Sequence, residues 1–146
     1  MIWLIKFAMC AMMPRTESLP GIADTDVDTF LRRMRTEAIA LYWAGLVLGA
    51  VVFAITPLLT IGLPLPAFAL SKEQLDRHTE RILSHPVYIL RQAVFLIRVS
   101  AGLCWGADER VRAQFALAPY PVDPGTFRQS DPVHVARAHS EPVRES

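Results

Sequence analysis

The chain has 146 residues, 52% hydrophobic and 20% charged, with 15 basic against 14 acidic side chains and a mean hydropathy of +0.29. That is the size of one small domain or membrane subunit, and a net charge of +1 supplies no basic stripe, so nucleic acid is not an expected partner. Two cysteines, Cys10 and Cys104, stand far apart with no CxxC and no metal-ligand spacing, which predicts buried free thiols rather than a disulfide framework.

Residues 1–13 (MIWLIKFAMCAMM) are apolar around a single Lys6. The interior charge and the lack of a small-x-small cleavage site argue against a secretory signal, and the stretch is too short to span a bilayer. It reads as an interfacial anchor at most, not packed with the rest, with Met12 or Met13 as alternative starts. Pro14 to Gly21 is a linker by its proline, glycine and serine content. Residues 1–21 are thus expected to be an apolar N-terminal segment and linker, ahead of a helical membrane-associated domain over residues 22–128.

In that domain Thr25 or Asp26 is a candidate N-cap, and Phe30, Leu31, Met34, Ala38 and Leu41 recur at three- and four-residue spacing. This pattern predicts a helix that runs directly into the following apolar stretch, one element from about Val27 to about Thr56. From Ala38 to Ser71 there is no Asp, Glu, Lys, Arg or His. A bilayer core about 30 Å thick needs about 20 apolar residues, which Ala38 to Pro57 provides, so this helix is read as transmembrane. The other solution for an all-round apolar helix is burial in the core of a soluble subunit. Arg32, Arg33 and Arg35 before it are nearly balanced by Lys72 and Arg77 behind, too even to fix orientation. Gly45 and Gly49, in AGLVLGA, form a small-xxx-small pair expected to be a helix-packing face. AGLCWGA at residues 101–107 repeats the pattern over too short a length to be an internal repeat.

Pro57, Gly62, Pro64 and Pro66 then break helix repeatedly, predicting an apolar loop at an interface or against a partner. Ser71 with Gln74 makes a capping box for a helix reaching about Ser84, with Leu75, Thr79, Ile82 and Leu83 as its apolar stripe. After His85-Pro86 a longer helix follows, carrying Arg91 and Arg98 seven residues apart and so on one face. Two arginines suit an in-plane or partner-docked helix better than a lone span, and they mark Arg91 and Arg98 as docking residues for a partner protein or lipid phosphates. Asp108 caps a short helix over ERVRAQFAL, a proline-rich stretch follows, and the polar tail at residues 129–146 is expected to be disordered. The fold class is therefore all-α: one long hydrophobic, transmembrane helix, two or three amphipathic helices and a disordered tail.

No P-loop, GxSxG or HExxH occurs, and no GxGxxG follows a strand, so no catalytic residue is assigned. His78 and His85 would face one side of a continuous helix and offer imidazoles to a haem, but Pro86 biases His85 out of helical geometry and further ligands are lacking. Asp24, Asp26 and Asp28 lack the glycine and terminal acid of a calcium loop and read as capping residues.

Residues 64–128 carry a pattern of a proline-rich approach to Phe68, a Leu-Ser cap and charged helix (Leu70 to Arg81), a break at Ser84, a long helix with the Leu90-Arg91 pair, and an acid-capped helix ending near Tyr120-Pro121. This pattern resembles the helical region that precedes the flavin-binding domain in long-chain alcohol oxidases of the glucose-methanol-choline oxidoreductase family. It is also similar to the small helical subunits that accompany membrane-bound flavin dehydrogenases such as gluconate dehydrogenase. The fused oxidases continue into a dinucleotide-binding glycine motif that this sequence does not contain. The resemblance implies a non-catalytic small subunit that anchors or caps a flavin-dependent alcohol, sugar or sterol dehydrogenase at the inner membrane. FAD would then reside in a flavoprotein partner subunit and this chain would bind no cofactor. The competing expectation is a self-associating small membrane protein without an enzyme partner.

Overall fold

The computed structural model describes residues 1–118, and among them every regular element is helical: α1 (Ile2–Met12), α2 (Val27–Glu37), α3 (Ala40–Ile55), α4 (Pro57–Ile61), α5 (Lys72–Leu83), α6 (Tyr88–Ala107) and α7 (Glu109–Gln114), with single 3-10 turns at Ile22–Asp24 and Ala67–Ala69. The fold class is thus all-α, as the sequence predicts. The proline-rich stretch from Pro119 and the tail at residues 129–146 lie outside the described residues.

The centre is an antiparallel pair, α3 against α6. Their register is fixed by close approach of small residues: a Cβ on Gly49 would lie 2.2 Å from the Ala93 carbonyl oxygen, and one on Gly45 would lie 2.8 Å from Leu96 Cδ2. Near the other end the Tyr42 hydroxyl meets Ser100 Oγ at 2.8 Å, while Ser100 Oγ donates to the Leu96 carbonyl. Tyr42 is therefore the donor of the first bond, and the half-buried Tyr42 and buried Ser100 hydroxyls are both satisfied.

Against this pair lies α1, which corrects the expectation that the N-terminal residues do not pack with the rest. Ile5, Ala8 and Met9 are fully buried, Phe7 packs on Phe53 with ring centroids 6.1 Å apart, and Met13 accepts a backbone bond from Ile22. The physical reason is composition: an 11-residue helix with one charged side chain, whose Lys6 reaches out to Asp28 of α2 at 2.7 Å, can bury most of its circumference at little desolvation cost.

The single helix expected from Val27 to Thr56 is instead two. Ala38 (ψ 150°) and Ile39 (ψ 146°) are extended, and the chain turns between them. A continuous helix of about 30 residues would be about 45 Å long and could not lay both faces on one small core. Broken, α2 turns Val27 and Leu31 inward while α3 presents Leu46, Ala50 and Phe53 to the centre. The Asp26 side chain accepts from the Thr29 N–H as the predicted N-cap.

Length and composition sufficient to cross a membrane are found in α6, with 20 residues, whereas α3 has 16. At about 1.5 Å per residue these are about 30 Å and about 24 Å. Pro57 does not open a loop: it occupies the first position of α4, where its missing N–H costs little, and Gly62 ends that helix with φ +74°. The predicted box at α5 is present, with Ser71 N donating to Gln74 Oε1 and Gln74 N to Ser71 Oγ. Asp108 caps α7 by accepting from Arg110 N.

Candidate functional site

The fully buried polar side chain of α5, His78, points at the junction of α3 and α4. In an α-helix the carbonyl of Phe53 would receive the N–H of residue 57, but that residue is Pro57 and has none. The imidazole of His78 fills the vacancy: Nε2 lies 2.9 Å from the Phe53 oxygen and the ring is fully buried. A carbonyl only accepts, so Nε2 carries the hydrogen. Nδ1 lies 2.6 Å from Thr60 Oγ1 and, in the neutral ring, accepts from that hydroxyl. One turn along α5, Arg81 Nη1 donates to the Thr60 carbonyl at 2.9 Å, which α4 ends too soon to satisfy. His78 and Arg81 thus clip α5 across the helix break. Burial pushes the His78 imidazole below its ordinary value, and the bond to Phe53, which favours the charged ring, opposes that only in part.

With both ring nitrogens engaged, His78 offers no free lone pair to a metal, and His85 turns elsewhere, its Nδ1 accepting from the Val87 N–H at 3.1 Å. Among the described residues no group of three or more His, Cys, Asp or Glu is arranged to hold a metal ion. Asp24 and Asp26 act locally, Asp24 on the Gly21 N–H and Asp26 as the α2 cap, while Asp28 pairs with Lys6. Both cysteines are free; burial pushes the Cys10 thiol up, away from thiolate reactivity.

Gly45 and Gly49, the pair expected to pack helices, face α6 of the same chain. The second pair, Gly102 and Gly106, meets open space. Arg91 and Arg98 are both exposed on one side of α6 but differ in their contacts. Arg91 Nη1 donates to the His85 carbonyl at 3.0 Å and its guanidinium lies 5.8 Å from the Tyr88 ring centroid. Arg98 has no hydrogen bond or ion pair among the described residues and stands between exposed Phe95 and half-exposed Gly102.

The outer side of α3 and α4 is unexplained by any contact described so far. Leu41, Leu48, Ile55, Leu58 and Leu59 are all more than half exposed, Leu41 at 79% and Ile55 at 67%, in a stretch without a formal charge. Scattered exposed leucines need no explanation, but a row along two successive helices marks a contact surface. Sequence reasoning identified the apolar interval; the side facing outward is visible only once α6 and α1 are seen covering the other side.

No family model, no curated protein and no solved structure matches this chain.

Proposed function

We propose that the chain is a non-catalytic helical module that associates with a membrane through the outer side of α3 and α4. The observation that carries this reading is that uncharged row of exposed leucines and isoleucine, which in water would leave a contiguous apolar surface unpaid by any contact. Because α3 is about 24 Å long, and α6, long enough to cross, exposes Arg91 and Arg98, lipid contact along α3–α4 accounts for both. The inner membrane is the site we assign.

We further propose, on the resemblance of residues 64–128, that its partner is a flavoprotein dehydrogenase that binds FAD. This chain would be the accessory subunit that anchors or caps that enzyme, with Arg91 and Arg98 on the docking side. Purification of the tagged chain from its native membranes in mild detergent, with mass spectrometry and a flavin absorbance scan, tests both steps. A stoichiometric flavoprotein is the expected result; a chain found in the soluble fraction would sink the membrane reading.

A second reading, self-association without an enzyme partner, is favoured by Gly102 and Gly106. They leave a small-residue strip open on α6 beside exposed Phe95 and Leu103. A chain that elutes alone from the membrane fraction as an oligomer would select it.

A further inference from the structure

A cleft with apolar walls and a cation at its edge lies between α1, α2 and α3. It has a volume of about 450 Å³ and is lined by Met1, Ile2 and Trp3 of the N-terminal helix, Arg35 near the end of α2, and Trp43 and Val47 of α3. Such a volume is within the range of about 300–1,000 Å³ typical of small-molecule sites. The three elements meet here because α2 runs back along α1, from the Lys6–Asp28 ion pair to the end where Arg35, Met1 and Trp3 line the same cleft.

The neighbouring arginines are engaged: Arg33 with Glu37 at 2.8 Å and Arg32 with Thr29 Oγ1 at 3.1 Å. Arg35 is exposed and has no hydrogen bond or ion pair among the described residues. Indoles beside a cation, at the boundary between a charged helix and an uncharged one, are the side chains that suit the headgroup level of a bilayer. The cleft lies at that boundary: α2 carries the arginines, and the exposed leucines start at Leu41, two residues before Trp43.

We propose that this cleft binds an anionic phospholipid of the bilayer, with Arg35 on the phosphate and Trp3, Trp43, Ile2 and Val47 against the glycerol and upper acyl chain. The inference rests on the membrane reading above and adds a specific lipid site to it. Arginine suits the role because its planar fork binds a phosphate through two parallel N–H donors. The apolar walls supply the contact that a free inorganic anion would not use.

The test is partitioning of the full chain onto vesicles of phosphatidylcholine alone and of phosphatidylcholine mixed with phosphatidylglycerol. The expected result is tighter binding to the mixed vesicles, where no choline cation offsets the phosphoglycerol charge, and an Arg35→Gln variant that loses about five-fold on them but much less on phosphatidylcholine. Arg15→Gln, an equal charge change at a residue 76% exposed and outside the cleft, should retain most of the preference. In a Trp105→Phe background the two cleft indoles remain, and brominated phosphatidylglycerol should quench them more than brominated phosphatidylcholine does. Equal losses in the two arginine variants, or release of the chain by glycerol phosphate in solution, would overturn the lipid site and leave membrane association standing. Absence of binding to either vesicle would remove the membrane reading and the site with it.

Discussion

The imidazole of His78 donates to the carbonyl of Phe53, 25 residues earlier, at 2.9 Å, and that carbonyl is free because Pro57 has no N–H to give it. A substitution that removes the donor leaves a buried acceptor unpaired, at about 1–3 kcal/mol, and opens space beside the Phe53 ring, whose centroid lies 4.7 Å from that of the imidazole. His78→Ala is therefore expected to destabilise by about 2–4 kcal/mol in urea unfolding. Pro57→Ala would restore the helical donor to Phe53. The double variant should lose less than the two single losses added together, by at least about 0.5 kcal/mol; strict additivity would show that the carbonyl is not the shared partner.

The same imidazole makes stability depend on pH. Its folded-state value is depressed by burial, so between that value and the ordinary one, about 6.5, the unfolded chain binds a proton that the folded chain does not. Stability therefore rises with pH through this window. It is full above about pH 6.5 and falls below it, by about 1.4 kcal/mol for each unit of depression. Melting scans from about pH 7.5 to about pH 5.5 should show a falling Tm for the parent. A flatter profile is expected for His78→Gln, and parallel profiles would assign the slope to other groups.

The four glycines of the two AGLxxGA segments should separate by environment. Gly49→Ala would drive a methyl to within 2.2 Å of the Ala93 carbonyl oxygen, backbone that can yield only by parting α3 from α6, at about 1–3 kcal/mol. Gly45→Ala meets the end of the flexible Leu96 side chain and should cost much less. At Gly102 and Gly106 the added methyl meets nothing, so alanine there should stabilise by about 0.5–1 kcal/mol through helix propensity. Chemical denaturation of the four variants checks the order, and a Gly49→Ala protein as stable as its parent would refute the close contact.

The capping box at Ser71 and the caps at Asp26 and Asp108 were legible because each rests on a local hydrogen bond whose donor and acceptor lie within three residues. The break at Ala38–Ile39 was not, since neither glycine nor proline marks it. It follows from α2 and α3 needing different partners, a tertiary demand that overrides local helical preference. His78 was visible as a histidine, but its role depends on Pro57 emptying a carbonyl on another helix, and no periodicity joins residues 53, 57 and 78. The small-residue spacing at Gly45 and Gly49 was legible as a packing signal, whereas its partner, α6 of the same chain, was not. The cleft around Arg35 escaped for the same reason: its residues come from three elements that only the folded chain assembles.

α1 supplies the last prediction. Its Ile5, Ala8 and Met9 are fully buried among residues of α3 and α6, and Leu4 nearly so. Removing them would uncover the sides of α3 and α6 on which α1 packs, Phe53 among them, and each large apolar side chain returned to water costs about 1.5–3 kcal/mol. A protein with total stability of about 5–15 kcal/mol cannot absorb several such losses. A chain started at Met13 should therefore keep helical far-ultraviolet dichroism but lose its near-ultraviolet signal and its cooperative unfolding transition. A milder variant, Met9→Ala, should retain the fold at a cost of about 2–5 kcal/mol. If the truncated chain instead unfolds cooperatively with unchanged midpoint, α1 is not part of the core and the cleft that its first residues line does not persist in solution.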